Sequence, residues 1–520
     1  MADEGDAGAA PRENREGGPP DASAGQAGPR ARVKAVARPA GADALRRRVE
    51  QAVRLQGAGK LDEALAIYRA VLAEDPYIPA SWINLGVLLR RLGHTNPAVA
   101  CLKRGVALKP YDGSAWSNLG NALRASGRYE EAVRAHERAV ELASGSAQLH
   151  YNMALSLRDV GHLDASLHAF RRAEMLGYRR PELEWDRALT QLLQGDFETG
   201  FKGYEARWRL AEAGRRWSDA PEWDGGPVAG ADGKPGPLLV WTEQGFGDTL
   251  HFARYLPILK AKGVHPLIFE VQGPLARLFQ QAAAFKGIAV VPRGAPRPEP
   301  AAQIPLLSLP RLLHTVERTI PASIPYLEAP DSVERPYLPG GVLNVGLCWA
   351  GKPTHRNDRN RSAGAAAFVP LLDLPGASFH ALQKGPGAQQ IADEGLTALV
   401  SDFSSRLADF AETAAAVEAL DLVITVDTSI GHLAGAMGKE VWVLLPYAPD
   451  WRWMLHRDDS PWYPTMTLFR QTSPGDWEEV FQRVRRALSE RITEKLRGPQ
   501  ADDSEAGESE DEDPGESAEA

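Results

Sequence analysis

Four groups of residues in this 520-residue chain have types and spacings that suit chemistry. The first is Asp427-Thr428-Ser429-Ile430-Gly431-His432, directly after the short, β-branched run Leu422 to Val426. Asp, Thr and Ser are each good helix N-caps, and the small residues that follow, through Gly438, suit a helix that backbone or ligand can approach closely. At the carboxyl end of a buried strand, such a turn offers amide N–H groups and a helix dipole to a phosphate. The plainer reading is an ordinary strand–helix turn in which Asp427 caps the helix. The second group is Gln244-Gly245-Phe246-Gly247-Asp248. Its glycines bring backbone near a ligand. Its carboxylate stands at the mouth of the next helix, where it either takes a proton from an attacking hydroxyl or caps that helix.

The third group is the loop from Trp349 and Gly351 to Ser362, in which Lys352, Arg356, Arg359 and Arg361 concentrate positive charge. That density suits a diphosphate, with an exposed basic loop as the alternative. Gln383-Lys384-Gly385 follows another strand and joins the same wall. The fourth group, Asp450-Trp451-Arg452-Trp453 with Ser460-Pro461-Trp462-Tyr463, holds more aromatics than a surface loop normally carries. It either stacks against a sugar or base or closes a cleft. The chain's only Asp-x-Asp is Asp511-Glu512-Asp513 in an acidic tail, so a metal-dependent site has no candidate.

The elements that must position these groups fall into two βα series. Strands are expected at 238–242, 265–271, 288–291 and 304–309, with a helix through Phe252, Tyr255 and Leu256 to Lys260. A second series has strands at 345–351, 378–383, 422–426 and 441–446. Two such series suggest two Rossmann-like lobes, 237–340 and 341–497, facing a cleft. A charged helix at 477–496 closes the second and could pack back across both.

Ahead of the lobes lies a repeat. Gly59, Gly93, Gly127, Gly161 and Gly195 are spaced 34 residues apart, and five residues after each stands Ala64, Ala98, Ala132, Ser166 or Gly200. Trp82-Ile83-Asn84, Trp116-Ser117-Asn118 and His150-Tyr151-Asn152 recur at the same period. The pattern resembles tetratricopeptide repeats, five helix pairs over 43–212, joined to the lobes by a packed Gly-, Pro- and Trp-containing connector at 213–236. In each pair the glycine ends the first helix and the small residue lets the second lie close. Such a solenoid presents a concave face to an extended peptide. In the proteins it resembles, the position of Asn84, Asn118 and Asn152 lines that groove. An asparagine ladder there would bond the backbone of a bound polypeptide, unless these amides bond neighbouring helices instead.

Composition narrows the classes. The net charge is −9, but the last twenty residues hold ten acids and no base, which leaves the rest of the chain at about +1. A balanced body gives no support for nucleic acid as the main partner. Residues 1–42 and the tail 498–520 have little to bury and are expected to be disordered. Two distant cysteines, Cys101 and Cys348, fit no metal or redox pattern and suggest a reducing compartment. The acidic N-terminus is no secretory signal, and no apolar run approaches the ~20 residues of a membrane helix. A cytoplasmic protein is expected.

Asp427-Thr428-Ser429-x-x-His432-Leu433-Ala434 resembles the nucleotide-sugar signature of glycosyltransferase family 9, the heptosyltransferase family, and Gly247-Asp248 ahead of Tyr255-Leu256-Pro257 resembles its first-lobe motif. The stretch 197–490 is similar to bacterial tetratricopeptide–glycosyltransferase fusions linked to flagellin glycosylation. Shared motifs include Glu243 to Asp248, Trp349-Ala350-Gly351, Asp358-x-x-Arg361-Ser362, Asp450 to Trp453 and Leu468 to Gln471. The order of repeats before lobes is similar to the protein O-linked N-acetylglucosamine transferases. The resemblance implies an α-solenoid followed by a GT-B-like pair of lobes, with no cofactor beyond the nucleotide-sugar substrate. It implies that Asp248 is the base and that the second lobe holds the donor. Its donor positions are Lys352, Asp427, Thr428, Ser429 and His432, with Gln244, Gly245, Gly247, Trp349, Arg361, Gln383 and Lys384 in the same walls. A protein acceptor is expected from the repeats, and the resemblance implies that it is flagellin-like. A non-catalytic scaffold with a degenerate transferase domain is the alternative.

Overall fold

The computed structural model describes residues 41–210, 219–230, 233–243, 245–355 and 357–497. The two expected tails beyond this range, with Asp511-Glu512-Asp513, and also Trp217, Gln244 and Arg356, lie outside the described residues.

Among the described residues, ten helices come first and pair as five hairpins. They are α1 (Ala42–Gly57) with α2 (Leu61–Glu74), α3 (Pro79–Arg91) with α4 (Thr95–Leu108), and α5 (Gly113–Ala125) with α6 (Tyr129–Leu142). The last two are α7 (Ala147–Asp159) with α8 (Leu163–Met175), and α9 (Pro181–Gln194) with α10 (Phe197–Tyr204). The five periodic glycines hold φ between 78° and 91° at the hairpin turns, a left-handed conformation that disfavours any residue with a β-carbon. Ala64, Ala98, Ala132 and Ser166 are fully buried where the second helix meets the first. At Gly200 a β-carbon would stand 2.6 Å from Leu192 Cγ. In three of the inter-repeat loops a periodic ring on the following helix ties the loop down, six residues after the carbonyl it bonds. Trp82 and Trp116 donate their indole N–H to the carbonyls of Pro76 and Pro110 at 2.7 and 2.9 Å, and His150 Nε2 lies 2.9 Å from Ser144 O.

Two all-parallel sheets follow among the described residues. The first joins β1 (Leu238–Trp241), β2 (Leu267–Val271), β3 (Ala289–Pro292) and β4 (Ala302–Pro305) in the order β3-β2-β1-β4. The second joins β5 (Leu343–Cys348), β6 (Ala377–Ala381), β7 (Val400–Asp402), β8 (Leu422–Val426), β9 (Glu440–Leu445) and β10 (Met466–Arg470) in the order β10-β9-β8-β5-β6-β7. In each sheet the chain begins on an inner strand, winds outward, then returns to that strand's other side. A crevice therefore opens at the carboxyl ends of β1 and β4, and of β5 and β8. Strands β1, β2, β5 and β8 are buried throughout, as apolar runs covered on both faces must be.

Several elements differ from expectation. The strand expected at 304–309 ends at Pro305, and the chain turns into helical structure at Leu306. The helix expected to run unbroken to Lys260 splits into α11 (Phe246–Phe252) and α12 (Tyr255–Ala261). Arg254 sits at the break. Its guanidinium donates to the carbonyls of His251 (2.7 Å), Trp462 (2.6 Å) and Pro321 (3.1 Å), which fixes the bend from outside the helix. The final helix, Trp477–Arg497, packs on the second lobe. It buries Val480, Phe481, Val484, Leu488 and Ile492 there and pairs Arg491 with Glu440 and Lys495 with Asp421.

The fifth hairpin shares a core with the lobes. Phe197, Phe201 and Tyr204 pack edge-on against Trp451, and Arg207 grips Glu243 through two bonds of 2.9 and 3.0 Å. Farther up the array, hairpin turns lean on the second lobe. Arg359 donates to Thr95 at 3.4 Å, and Tyr447 stacks on Tyr129 at 5.9 Å. A β-carbon at Gly161 would touch Leu455, and one at Gly195 would crowd Met454. No described helix is long and apolar enough to cross a membrane.

Candidate functional site

The motif after β8 folds as a capped turn. Thr428 is extended, and its hydroxyl accepts from the Ile430 amide at 3.3 Å while lying 3.0 Å from the Thr425 hydroxyl. That engages the Thr428 side chain as the N-cap of the Ser429–Ala436 helix. Among the described residues, the amides of Ser429 and Gly431 in the first turn bond no backbone carbonyl. Asp427 sits half-buried just before the cap and does not itself cap the helix.

Opposite, α11 begins at the carboxyl end of β1. At Gly245 a β-carbon would collide with the Asp248 carboxylate, which would have to shift. At Gly247 a β-carbon would stand 2.9 Å from His432 Cδ2, so the two lobes meet backbone to ring at this point. Arg452 bridges them. Its guanidinium donates to Asp248 Oδ1 at 2.6 Å and to Asp450 Oδ1 at 2.8 Å while lying over the Trp451 ring at 4.5 Å. Asp248 keeps 35 % of its side chain exposed, and its Oδ2 has no hydrogen-bond partner among the described residues. Burial raises the Asp248 pKa, and the Arg452 charge offsets part of that rise. Burial, then the Asp450 charge, likewise raises the Asp427 carboxyl, with Arg361 pulling the other way. Asp248, Asp427 and Asp450 thus crowd around one buried arginine.

The other expected site residues divide. Arg361 lies close enough to act on Asp427, but it is packed over Gly351 and bonded to Asp358 at 3.3 Å. Lys352 is exposed, and its ammonium has no partner among the described residues. Trp349 is core, 1 % exposed, with its indole N–H on Gly387 O. Gln383 is buried, and both ends of its amide are engaged. Its oxygen accepts from the Trp349 and Ala350 amides, and its nitrogen donates to the Ala350 and Lys384 carbonyls. As found, Trp349 and Gln383 shape the loop after β5 and offer a ligand no free polar group. Lys384 is exposed and bonds Ser404 O at 2.9 Å. Trp451, Trp453, Trp462 and Tyr463 are buried, so they close the cleft from behind and present no ring face to a sugar.

Sequence reasoning missed the work of Arg452, His251 and Arg254. The first was visible inside Asp450-Trp451-Arg452-Trp453, where the aromatics drew attention from the cation. The other two lie inside a helical stretch and carry no local signal. Among the described residues, no three His, Cys, Asp or Glu side chains converge as a metal-ligand group. An open depression of about 580 Å³ lined by Val316, Glu317, Arg318 and Pro461 contains none of these groups.

On the repeats, Asn84, Asn118 and Asn152 are half-buried at one repeat position. Asn152 donates to Ser117 Oγ on α5 at 2.9 Å and accepts from Gln148 at 3.0 Å. This amide serves helix packing as it stands, the second of the two roles its position allows. Asn84 and Asn118 make no side-chain hydrogen bond with another described residue.

Models of the tetratricopeptide repeat match residues 55–122 and 113–146, in agreement with the helical hairpins. The chain is 29% identical over 325 residues to Protein FlbA of Caulobacter vibrioides, a match covering 57% of this chain and 53% of that protein. It thus spans about half the length of the curated relative it matches. Among solved structures, it is similar to a thermophilic tetratricopeptide protein of Thermus thermophilus. That match has 23% identity, a TM-score of 0.29, and covers 32% of this chain and 92% of the other. It is also similar to MamA from Desulfovibrio magneticus, with 20% identity, a TM-score of 0.29, and coverage of 31% of this chain and 92% of the other. The N-terminal part carries tetratricopeptide repeats, a repeat type that suggests protein interaction, and is followed by two parallel sheets.

Proposed function

We propose that the chain is a GT-B, inverting, metal-independent glycosyltransferase. It moves a sugar from a nucleotide donor to Ser or Thr hydroxyls of a protein held by the repeats, with flagellin as the acceptor suggested by the resemblance. The observation that supports this reading is the meeting of two helix mouths across the lobes, one bearing Asp248 and the other Asp427 to His432, bridged by Arg452. Both stand at the carboxyl ends of parallel strands, where such sheets bind ligands.

In this reading the acceptor oxygen attacks the anomeric carbon as the bond from that carbon to the phosphate oxygen breaks. Asp248 Oδ2 takes the hydroxyl proton. Burial, which raises the basicity of this carboxylate, suits that task, and Arg452 on Oδ1 aims the free oxygen. The leaving phosphate is met by the amides of Ser429 and Gly431, by His432 and by Lys352. Asp248→Asn should slow single-turnover transfer from a panel of sugar nucleotides to flagellin by about 10²- to 10⁴-fold. An unchanged rate would remove Asp248 from the mechanism.

A second reading, a scaffold with an inactive transferase domain, draws on the Asp248–Arg452 pair, because a carboxylate tied to an arginine is a weaker base. If equilibrium titration finds no sugar nucleotide bound to the full chain, the scaffold reading stands.

A further inference from the structure

His432 is held from behind. Its Nδ1 lies 3.1 Å from the hydroxyl of Tyr463, and that same hydroxyl lies 3.0 Å from Nδ1 of His251 on α11. All three side chains are buried. The His432 ring stacks on Trp453 at 5.5 Å and 14°, so it is not free to turn.

A tyrosine hydroxyl carries one proton. Arg254 and Tyr326 also act on the Tyr463 hydroxyl, but among the described residues its partners at hydrogen-bond distance are the two imidazole Nδ1 atoms. One ring therefore donates to the oxygen and the other accepts from it. The far nitrogens decide the direction. His251 Nε2 is sealed from solvent with no partner among the described residues, and a stranded N–H there costs more than a bare lone pair. His251 therefore keeps its proton on Nδ1 and donates to Tyr463, whose hydroxyl donates to His432 Nδ1. That leaves His432 with its proton on Nε2. Unlike its counterpart, His432 Nε2 is not sealed, and it faces the helix mouth at Gly247, where a β-carbon would stand 3.7 Å away. Burial, reinforced by the Arg254 and Arg452 guanidiniums, pushes both imidazoles well below their ordinary pKa and keeps them neutral.

We propose that Tyr463, oriented by His251, is a positioning residue that fixes His432 as an Nε2–H donor to a phosphate oxygen of the sugar nucleotide. The identity of the phosphate rests on the transferase reading above; the hydrogen-bond chain does not.

The test uses the full chain labelled with ¹⁵N-histidine. Multiple-bond ¹H–¹⁵N spectra read the tautomer of each ring, and His251→Gln and His432→Gln variants assign the signals. The expected parent spectrum has His432 protonated on Nε2 and His251 on Nδ1. In Tyr463→Phe, His432 should become a mixture of tautomers. A parent His432 protonated on Nδ1 would overturn the proposal even if the variant failed to fold, and so would identical His432 signals in parent and folded variant. In a second arm, UDP, GDP and CMP are titrated into both proteins by calorimetry. Tyr463→Phe should weaken whichever binds the parent by about tenfold, the size of one hydrogen bond to a charged group. Unchanged affinity would overturn the phosphate contact. If none of the three binds the parent, the transferase reading fails, and the spectra still decide the hydrogen-bond chain.

Discussion

Removing the guanidinium of Arg452 leaves Asp248 and Asp450 facing each other with no cation between them. Arg452→Met should therefore lower the stability of the chain by about 3 kcal/mol, the lower end for a broken buried pair, because both carboxylates are about a third exposed and water screens them. Adding Asp450→Asn should recover part of the loss, since it removes one of the repelling charges. Urea unfolding of both variants checks this, and a double variant no more stable than the single one would show that the two acids do not share the arginine. The candidate site was partly legible at this scale. Asp248, Asp427 and His432 announce themselves by sitting at strand ends among glycines and caps. Trp349 and Gln383 stand in equally suggestive places, yet the fold buries one and engages the amide of the other. Sequence shows that a polar side chain is near a strand end, not whether a backbone group has already claimed it.

On the helices, His136 of α6 shows what a buried titratable ring does to a repeat. Its Nε2 lies 3.2 Å from Ser117 O, an acceptor, so Nε2 carries the proton. Its Nδ1 then accepts from the Ser156 hydroxyl at 2.9 Å. Burial lowers its pKa to about 4. The fold accepts only the neutral ring, so this contribution is fully present above pH 6.5 and is lost as pH falls from 6.5 through about 4, where the unfolded chain takes up the proton first. The loss approaches about 3 kcal/mol at about 1.4 kcal/mol per pH unit. Denaturant melts of the parent should weaken across that window, and those of His136→Gln should weaken less. Gly127→Ala, at φ 78°, should cost about 1 kcal/mol at every pH. The helical hairpins were legible because each repeats the same turn glycine and small packing residue. Strand β7 was not, since Val400-Ser401-Asp402 is three residues long with two of them exposed. The break between α11 and α12 was hidden for another reason. Its cause, the carbonyls that Arg254 reaches, lies up to 208 residues away in sequence.

Across the whole molecule, the fifth hairpin belongs as much to the lobes as to the solenoid. A chain beginning at residue 181 retains Phe197, Phe201 and Tyr204 against Trp451 and should melt in a single cooperative transition. One beginning at 219 uncovers Trp451 and Trp462 and should aggregate on gel filtration. In the full chain, Phe201→Ala should cost about 3 to 5 kcal/mol and lower the melting temperature read by both tryptophan fluorescence and far-ultraviolet circular dichroism. Were only one probe to shift, the shared core would not be a single folding unit.

The contacts of Thr95, Tyr129, Gly161 and Gly195 with the second lobe carry one more consequence. A free-standing solenoid lengthens or shortens by whole units at little cost, because each unit touches only its neighbours. Here successive turns meet fixed landmarks, so inserting or deleting one unit between α3 and α10 would shift every later turn off its mark. The array is ruled like a vernier against its own two-lobed body, and growth in evolution or by engineering is open only at the end that begins with α1.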